Sequence, residues 1–184
     1  MLLLHYTGMT TGEAALERLK DPTSEVSCHY LVFEDGVILQ MVPESRRAWH
    51  AGQSEWSGTT DINSQSIGIE IVNPGHAHGY RDFPPMQMEA VVALCRDLIA
   101  RWAIVPWRVL AHSDVAPQRK MDPGERFDWR LLANAGVGLW VEPAPICAWR
   151  ISSTRPTTRP APALRLALRP ALAWARSSGS SPRG

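Results

Sequence analysis

The stretch Ser66-Ile-Gly-Ile-Glu-Ile-Val72 alternates between apolar and other residues, which is the pattern of a β-strand. Because successive side chains of a strand point to opposite faces, the three isoleucines share one face. Gly68 and Glu70 lie on the other face. The stretch therefore predicts a strand that packs its isoleucines against a core and carries one carboxylate on the opposite side.

Apolar runs on both sides of this stretch predict further strands. Leu2-Leu-Leu-His-Tyr6 is a short buried strand, and Trp107-Arg-Val-Leu-Ala111 is another. Residues 28–34 and 37–42 flank Asp35-Gly36, a dipeptide typical of the type I′ turn of a β-hairpin. We therefore expect a sheet that contains at least one antiparallel pair.

Helices are predicted between these strands. Thr10-Thr-Gly-Glu13 has the spacing of a capping box and opens a helix that ends at about Lys20. Pro84-Pro85 begins the longest helix, whose apolar residues keep a 3.6-residue period as far as Trp102 and so predict that this tryptophan is buried. Residues 128–133 form a last helix. Strands and helices interleave, so the predicted fold class is α/β, with a mixed central β-sheet flanked by helices in a single domain.

The composition changes at about residue 143. Residues 143–184 contain seven Arg and seven Pro but no Asp, Glu or Lys, whereas residues 1–142 hold 12 basic and 18 acidic residues. A chain of 184 residues is long enough for one core-bearing domain and a tail. We predict that domain over residues 1–142 and an Arg/Pro/Ala-rich, disordered tail over residues 143–184.

Cysteine usage and hydropathy narrow the class of protein. Cys28, Cys95 and Cys147 are odd in number and have no short spacing, so neither a disulfide framework nor a thiolate metal site is indicated. No apolar stretch approaches the roughly 20 residues of a transmembrane helix. Residues 1–5 are too short for a secretory signal, so the chain as written is expected in the cytoplasm. The alternative is the cell envelope, if an upstream segment is missing.

A loop after the last predicted strand carries side chains that bind metal ions. The run Ala111-His-Ser-Asp-Val-Ala-Pro-Gln-Arg-Lys-Met-Asp-Pro-Gly124 offers the imidazole of His112, the ammonium of Lys120 and the carboxylate of Asp122. His5 ends the first apolar run and reaches the same point if the two strands end side by side. Two imidazoles and one carboxylate, with a fourth position left for water, are typical of a catalytic zinc site.

Six blocks of the sequence together resemble the zinc N-acetylmuramoyl-L-alanine amidases of the type-2 family, relatives of phage lysozyme-like amidases and peptidoglycan-recognition proteins. The likeness covers residue 2 to about residue 140, and it is most similar to the broad-specificity envelope amidases. The blocks are Leu4-His-Tyr-Thr-Gly8, His29-Tyr30, Gln40-Met-Val-Pro-Glu44, Ala48-Trp-His-Ala-Gly52, Asn63-Ser-Gln-Ser-Ile-Gly-Ile-Glu70 and the run 111–124 quoted above.

The resemblance implies hydrolysis of the amide between the lactyl group of N-acetylmuramic acid and L-alanine of the stem peptide, in cell-wall turnover, recycling or lysis. It assigns one Zn²⁺ per chain to His5, His112 and Asp122. It makes Glu70 the carboxylate that activates water and Lys120 the group that stabilises the oxyanion. Each role suits the chemistry, because amide hydrolysis needs a polarised carbonyl, a deprotonated water and a protonated leaving nitrogen.

Substrate contact is predicted for the block Trp49, His50, Ala51 and Gly52, although His50 could instead hold the loop. The expected partner is peptidoglycan or a muropeptide, the chain is expected to be a monomer, and nucleic acid is not expected. The tail leaves open a weak contact with wall polymer or a membrane surface through a short basic amphipathic helix, which Pro170 interrupts. That helix would present Leu164, Leu168 and Leu172.

The remaining histidines and the function also allow other interpretations. His29 is interpreted as structural, and His76 and His78 are either a metal-binding pair or part of a Gly-rich surface loop. A peptidoglycan-binding module would keep the groove without the metal. A metallopeptidase would use the same zinc to cut a peptide bond in a substrate that lacks the sugar.

Overall fold

The computed structural model describes residues 1–142, so the predictions made for the tail and for Cys147 lie outside the described residues. Strands and helices interleave along this range, and short 3-10 helices occur at Pro22–Ser24, Ile62–Ser64 and Pro106–Arg108. None of the helices in residues 1–142 is both long and apolar enough to cross a membrane. The elements are β1 (Leu2–Tyr6), α1 (Gly12–Lys20), β2 (Tyr30–Val32), β3 (Ile38–Gln40), β4 (Ile67–Ile71), α2 (Pro85–Trp102), β5 (Val109–Ala111), α3 (His112–Val115) and α4 (Trp129–Asn134).

The five strands form one mixed sheet in the order β3-β2-β4-β1-β5. β1 runs parallel to both β4 and β5, and β2 runs parallel to β4. β3 is antiparallel to β2, with which it forms the hairpin. The predicted fold, a mixed sheet flanked by helices, is confirmed.

The register of β1 and β4 separates a core face from a site face. The isoleucines of β4 pack with Leu2 and Leu4 into the main hydrophobic cluster, which also contains buried residues of α2. On the opposite face His5 pairs directly with Glu70 in the parallel ladder. The alternation of β4 thus places its carboxylate beside the histidine at the end of β1, as the sequence pattern predicts.

α2 is tied to the sheet by a polar contact as well as by its apolar face. Gln87 is fully buried, and its side-chain amide donates to the carbonyl oxygens of Val32 (3.2 Å) and Val72 (2.9 Å). Val32 ends β2 and Val72 directly follows β4, so the helix side chain binds backbone acceptors at this edge of the sheet.

The hairpin closes with a three-residue loop, so the prediction of a two-residue type I′ turn is wrong. Phe33 N–H donates to the carbonyl of Val37 (2.8 Å), and Gly36 N–H donates to the carbonyl of Phe33 (3.0 Å). A type I′ turn needs two residues with positive φ, but of the predicted pair only Gly36 has one, at 85°. The paired strands are also shorter than the predicted segments 28–34 and 37–42.

Three smaller expectations are also corrected. Thr11 rather than Thr10 caps α1, because its hydroxyl accepts from Ala14 N–H. β5 begins only at Val109, since the preceding residues form a 3-10 helix. Trp102 is 49% exposed rather than buried, because it lies in the last turn of α2, where its indole N–H donates to Glu44.

Candidate metal centre and active site

The ends of β1 and β5 bring two imidazoles to one point. Leu4 pairs with Ala111 in the parallel ladder, so His5 and His112, the next residues of each segment, lie side by side. Their Nδ1 atoms are 2.9 Å apart. The loop after α3 adds Asp122, whose Oδ2 lies 3.1 Å from Nδ1 of His5 and 2.9 Å from Nδ1 of His112. The expectation that the two strands end side by side is confirmed.

These three side chains could hold a metal ion. All are buried, and one ligand atom from each lies within 4.8 Å of the others. Burial lowers the pKa of His5 to about 4, which leaves its imidazole neutral and able to coordinate at neutral pH. Burial opposes ionisation of Asp122, but its close contacts with the imidazoles of His112 and His5 hold the pKa of this carboxyl well below its usual range. The set therefore supplies two imidazole nitrogens and one carboxylate oxygen.

The outer nitrogen of each histidine has a partner in the loop before β4. His112 Nε2 lies 3.0 Å from the carbonyl oxygen of Ala51. His5 Nε2 lies 3.0 Å from Nδ1 of His50. Partners of this kind orient metal-binding imidazoles and fix which nitrogen carries the proton.

Glu70 is a carboxylate prepared to hold a proton. Its Oε2 is buried, and within residues 1–142 it has no hydrogen-bond partner. Burial, and secondarily the negative charge of Asp122, raise the pKa of Glu70 well above its ordinary value, while the charge of Lys120 opposes this shift. A carboxyl with a raised pKa can accept a proton and return it at neutral pH.

Lys120 and Glu70 line the same cavity, which has a volume of about 330 Å³. Tyr6, His112 and Asp122 contribute to its wall, so the cavity opens beside two of the three candidate ligands. The turn that follows α3 positions Lys120, whose backbone N–H donates to the carbonyl of Ala116 at 2.9 Å. Both predicted catalytic residues and two of the predicted ligands therefore line one cavity, and the third ligand, His5, contacts His112 and Asp122.

The block Trp49 to Gly52 is divided between the cavity and the layer behind it. Trp49 is 56% exposed, lines the cavity and lies under the guanidinium of Arg47, 4.2 Å from the ring centre. His50 also reaches the cavity wall but is only 8% exposed. Ala51 is buried, and Gly52 has a φ of 57° and faces the guanidinium of Arg119. Trp49 offers the broad accessible surface and Gly52 is also exposed, whereas His50 and Ala51 are buried.

His50 is held as a neutral ring. Burial, followed by the nearby imidazoles, keeps the pKa of His50 well below its ordinary value. Its Nε2 lies 3.4 Å from the hydroxyl of Ser66, so both ring nitrogens have neighbours. The sequence block contained this histidine, but nothing in it indicated that Ser66 would stand behind the ring.

The remaining histidines have local partners. His29 is buried, accepts from Gly68 N–H (2.9 Å) and contacts the carbonyl of Arg46 (3.0 Å), which fits the structural interpretation. His76 lies 3.0 Å from the hydroxyl of Tyr6 and 3.0 Å from Glu125, whereas His78 is exposed. Among the described residues, the one group that could hold a metal is His5, His112 and Asp122.

This geometry defines a class of protein. Its members are mixed α/β domains with a buried His-His-Asp cluster at the ends of parallel strands. Residues 1–125 match the family Amidase_2, described as N-acetylmuramoyl-L-alanine amidase. The chain belongs to this family.

Individual relatives agree with the family match. The chain is 43% identical over 152 residues to N-acetylmuramoyl-L-alanine amidase AmiD of Escherichia coli (strain K12), covering 76% of this chain and 54% of that protein. It is 39% identical over 104 residues to 1,6-anhydro-N-acetylmuramyl-L-alanine amidase AmpD of Enterobacter cloacae, covering 56% and 54%. The chain thus spans about half the length of these relatives.

Solved structures show the same fold. The complex of E. coli AmiD with anhydro-N-acetylmuramic acid-L-Ala-D-gamma-Glu-L-Lys superposes with a TM-score of 0.71 at 43% identity, covering 77% of this chain and 59% of that one. AMPDH3 from Pseudomonas aeruginosa in complex with anhydromuramic pentapeptide also gives a TM-score of 0.71, at 34% identity, covering 77% and 61%.

Proposed function

We propose that this chain is a zinc-dependent amidase that hydrolyses the bond between the lactyl group of N-acetylmuramic acid and L-alanine of the stem peptide. The observation that carries the proposal is the convergence of His5, His112 and Asp122 near Glu70, whose Oε2 has no hydrogen-bond partner among residues 1–142. Family membership and the relatives solved with anhydro-muramyl peptides support the same substrate class.

The donor set suits a single Zn²⁺ ion. Two imidazole nitrogens and one carboxylate oxygen are a ligand set that leaves a fourth position for water in catalytic zinc sites. His5, His112 and Asp122 would hold the ion, which would supply Lewis-acid chemistry by polarising the substrate carbonyl and lowering the pKa of a bound water from about 15.7 to about 7.

Glu70 would act as the general base and then as the general acid. Its buried, unpaired Oε2 can accept the proton of the attacking water. Because its pKa is raised, the same carboxyl can deliver that proton to the leaving nitrogen of L-alanine. One residue thus serves both proton transfers of amide hydrolysis.

Lys120 would stabilise the oxygen on which negative charge develops. Its positive charge is close enough to lower the pKa of His5 and to offset part of the rise in the pKa of Glu70. Such a charge is most effective in a partly buried cavity, where water screens it less. The proposed binding partner is a muropeptide or peptidoglycan, held in the cavity by a monomeric catalytic domain over residues 1–142.

A substitution at Glu70 tests the assignment. Glu70→Gln keeps the size of the side chain but cannot accept a proton. We expect it to retain one zinc per chain and to lose about 10²–10⁴-fold in the release of peptide from a muropeptide, followed by mass spectrometry. Glu89→Gln, the same change on an exposed residue of α2, should leave the rate unchanged.

The same assay separates the competing functions. An amidase cleaves the muropeptide at the lactyl amide and leaves a stem peptide without sugar intact. A metallopeptidase cuts the free stem peptide, and a binding module retains the muropeptide without releasing any product. Full activity of Glu70→Gln would end the assignment of this residue as the base.

A further inference from the structure

The segment His50–Ala51 contacts both histidines of the proposed metal site from behind. Nδ1 of His50 faces Nε2 of His5 at 3.0 Å, and the carbonyl of Ala51 faces Nε2 of His112 at 3.0 Å. We propose that this segment fixes the tautomer of both ligands, so that each presents an unprotonated Nδ1 to the metal. The proposal rests on the proposed metal site, and it makes His50 a positioning residue rather than a substrate contact.

The tautomer of His112 follows from one contact. A backbone carbonyl oxygen can only accept a hydrogen bond, so Nε2 of His112 must carry the proton that it donates to Ala51. In a neutral imidazole the other nitrogen then has a free lone pair. Nδ1 of His112 therefore points its lone pair toward Asp122 and His5.

The tautomer of His5 follows from a chain of three contacts that also ends at a carbonyl. The hydroxyl of Ser66 lies 2.6 Å from the carbonyl oxygen of Ile62, to which it must donate its only proton. Ser66 can then only accept from Nε2 of His50, which lies 3.4 Å away. A neutral His50 protonated on Nε2 has its lone pair on Nδ1, so it accepts from Nε2 of His5. Nδ1 of His5 is thereby left unprotonated.

Neighbouring residues keep the segment in place. The side-chain oxygen of Asn63 accepts from the backbone N–H of His50 (3.0 Å) and of Ala51 (2.8 Å). Gly68 leaves room for the imidazole, because a Cβ at this position would lie 2.4–2.5 Å from the ring of His50. Arg119 donates to the carbonyl of Ala51 at 2.8 Å. These contacts hold the segment in position without help from His5 and His112, the two histidines that it supports.

This arrangement leaves two nitrogen lone pairs and a carboxylate oxygen at 2.9–3.1 Å from one another. Three acceptors this close repel one another unless a cation lies between them. A proton on Nδ1 of His5 would relieve the repulsion by donating to Asp122, and it would also block metal binding. The relay through His50 and Ser66 opposes that protonation and so favours the metal.

Metal affinity tests the relay without relying on catalysis. His50→Leu removes the acceptor behind His5, and we expect its zinc affinity to fall about 10–100-fold, measured by competition with a chromophoric chelator. His50→Asn places an amide oxygen near the position of Nδ1 and should retain most of the affinity. His78→Leu, the same change at an exposed histidine, should bind zinc as the unaltered chain does.

The tautomer itself can be read by ¹H–¹⁵N NMR of the imidazole rings. In the metal-free chain we expect His50 to carry its proton on Nε2 alone. Ser66→Ala removes the hydroxyl that selects this tautomer, so His50 should then populate both forms. This conservative change keeps the test available if His50→Leu fails to fold, which circular dichroism would reveal.

The results separate this proposal from the proposed function. A proton on Nδ1 of His50 in the unaltered chain, or unchanged zinc affinity in His50→Leu, would overturn the relay even if the amidase is active. Conversely, an unaltered chain with the expected His50 tautomer that binds no zinc or cleaves no muropeptide would contradict the proposed function instead.

Discussion

Lys120 carries its charge in the same cavity as Glu70 and two of the candidate ligands, His112 and Asp122. A cation near Glu70 and His5 has two consequences, because it favours the ionised carboxylate and disfavours protonation of the imidazole. Both effects keep the site in the state that amide hydrolysis requires. The charge is thus useful before the substrate arrives and again when the oxyanion forms.

Lys120→Met keeps the length of the side chain and removes its charge. We expect kcat on a muropeptide to fall about 10²–10³-fold, while zinc content and KM change little, because the interaction strengthens only in the transition state. The other lysine of the chain, Lys20, provides a matched control, since it is exposed on α1 and pairs with Glu17. A loss confined to KM would show that Lys120 binds substrate instead.

Single residues of the site were predictable to different degrees. His5 could be proposed because strand ends in a parallel sheet converge, and Asp122 because it lies on the loop that follows His112; the structure brings both to His112. The roles of Ser66 and Asn63 could not, because they depend on how the loop between β3 and β4 folds back on the site. Hydrogen bonds of that kind leave no periodic signal in a sequence.

At the scale of elements, the periodicity of β4 and α2 correctly predicts their buried faces, whereas the predicted turn type at Asp35-Gly36 and the predicted burial of Trp102 are wrong. β4 and α2 have the faces that their spacing indicates, because burial of one face is a property of the whole element. The turn at Asp35-Gly36 depends on one extra residue in the loop. Trp102 follows the period of α2 but lies where the helix reaches solvent.

Glu44 joins α2 to the hairpin. Its carboxylate accepts from Arg101 Nη2 at 2.8 Å and also from the hydroxyl of Tyr30 and the indole of Trp102. Hydrogen bonds from Arg101 outweigh partial burial and lower the pKa of Glu44 to about 2 from an ordinary 4.5. The contact therefore stabilises the fold only while the carboxylate is charged.

Glu44→Gln should reduce the free energy of unfolding by about 1–2 kcal/mol at pH 7, a value discounted because Arg101 is partly exposed. A lowered pKa stabilises the fold fully above the unfolded value near 4.5, and this contribution is lost as the pH falls toward about 2. Urea titrations at pH 7 and pH 3 should thus show a smaller difference at pH 3.

Glu17→Gln is the control for this measurement. Glu17 is largely exposed and pairs with Lys20 on the surface of α1, so the change should cost at most a few tenths of a kcal/mol. A difference between Glu44→Gln and the unaltered chain that stays constant from pH 7 to pH 3 would mean that the charge of Glu44 does not stabilise the fold.

At the scale of the whole molecule, charge divides the chain near residue 143. The buried clusters that hold the sheet and α2 lie within residues 1–142, and so do all the proposed site residues. The same range has an excess of acidic residues, whereas residues 143–184 carry seven arginines and no acidic group. Every residue to which the proposed chemistry assigns a role lies within residues 1–142.

We therefore predict that a chain ending at residue 142 keeps one zinc ion and its rate on soluble muropeptides. Its melting temperature should stay within about 4 °C of the full chain, since a contact worth about 1 kcal/mol shifts a domain of this size by about 2–8 °C. Differential scanning calorimetry, zinc analysis and the peptide-release assay measure these quantities. A lower zinc content or a much lower melting temperature would instead mean that residues 143–184 pack on the domain. If that contact were only electrostatic, the difference between the two chains would shrink in 1 M salt, where the screening length is about 3 Å.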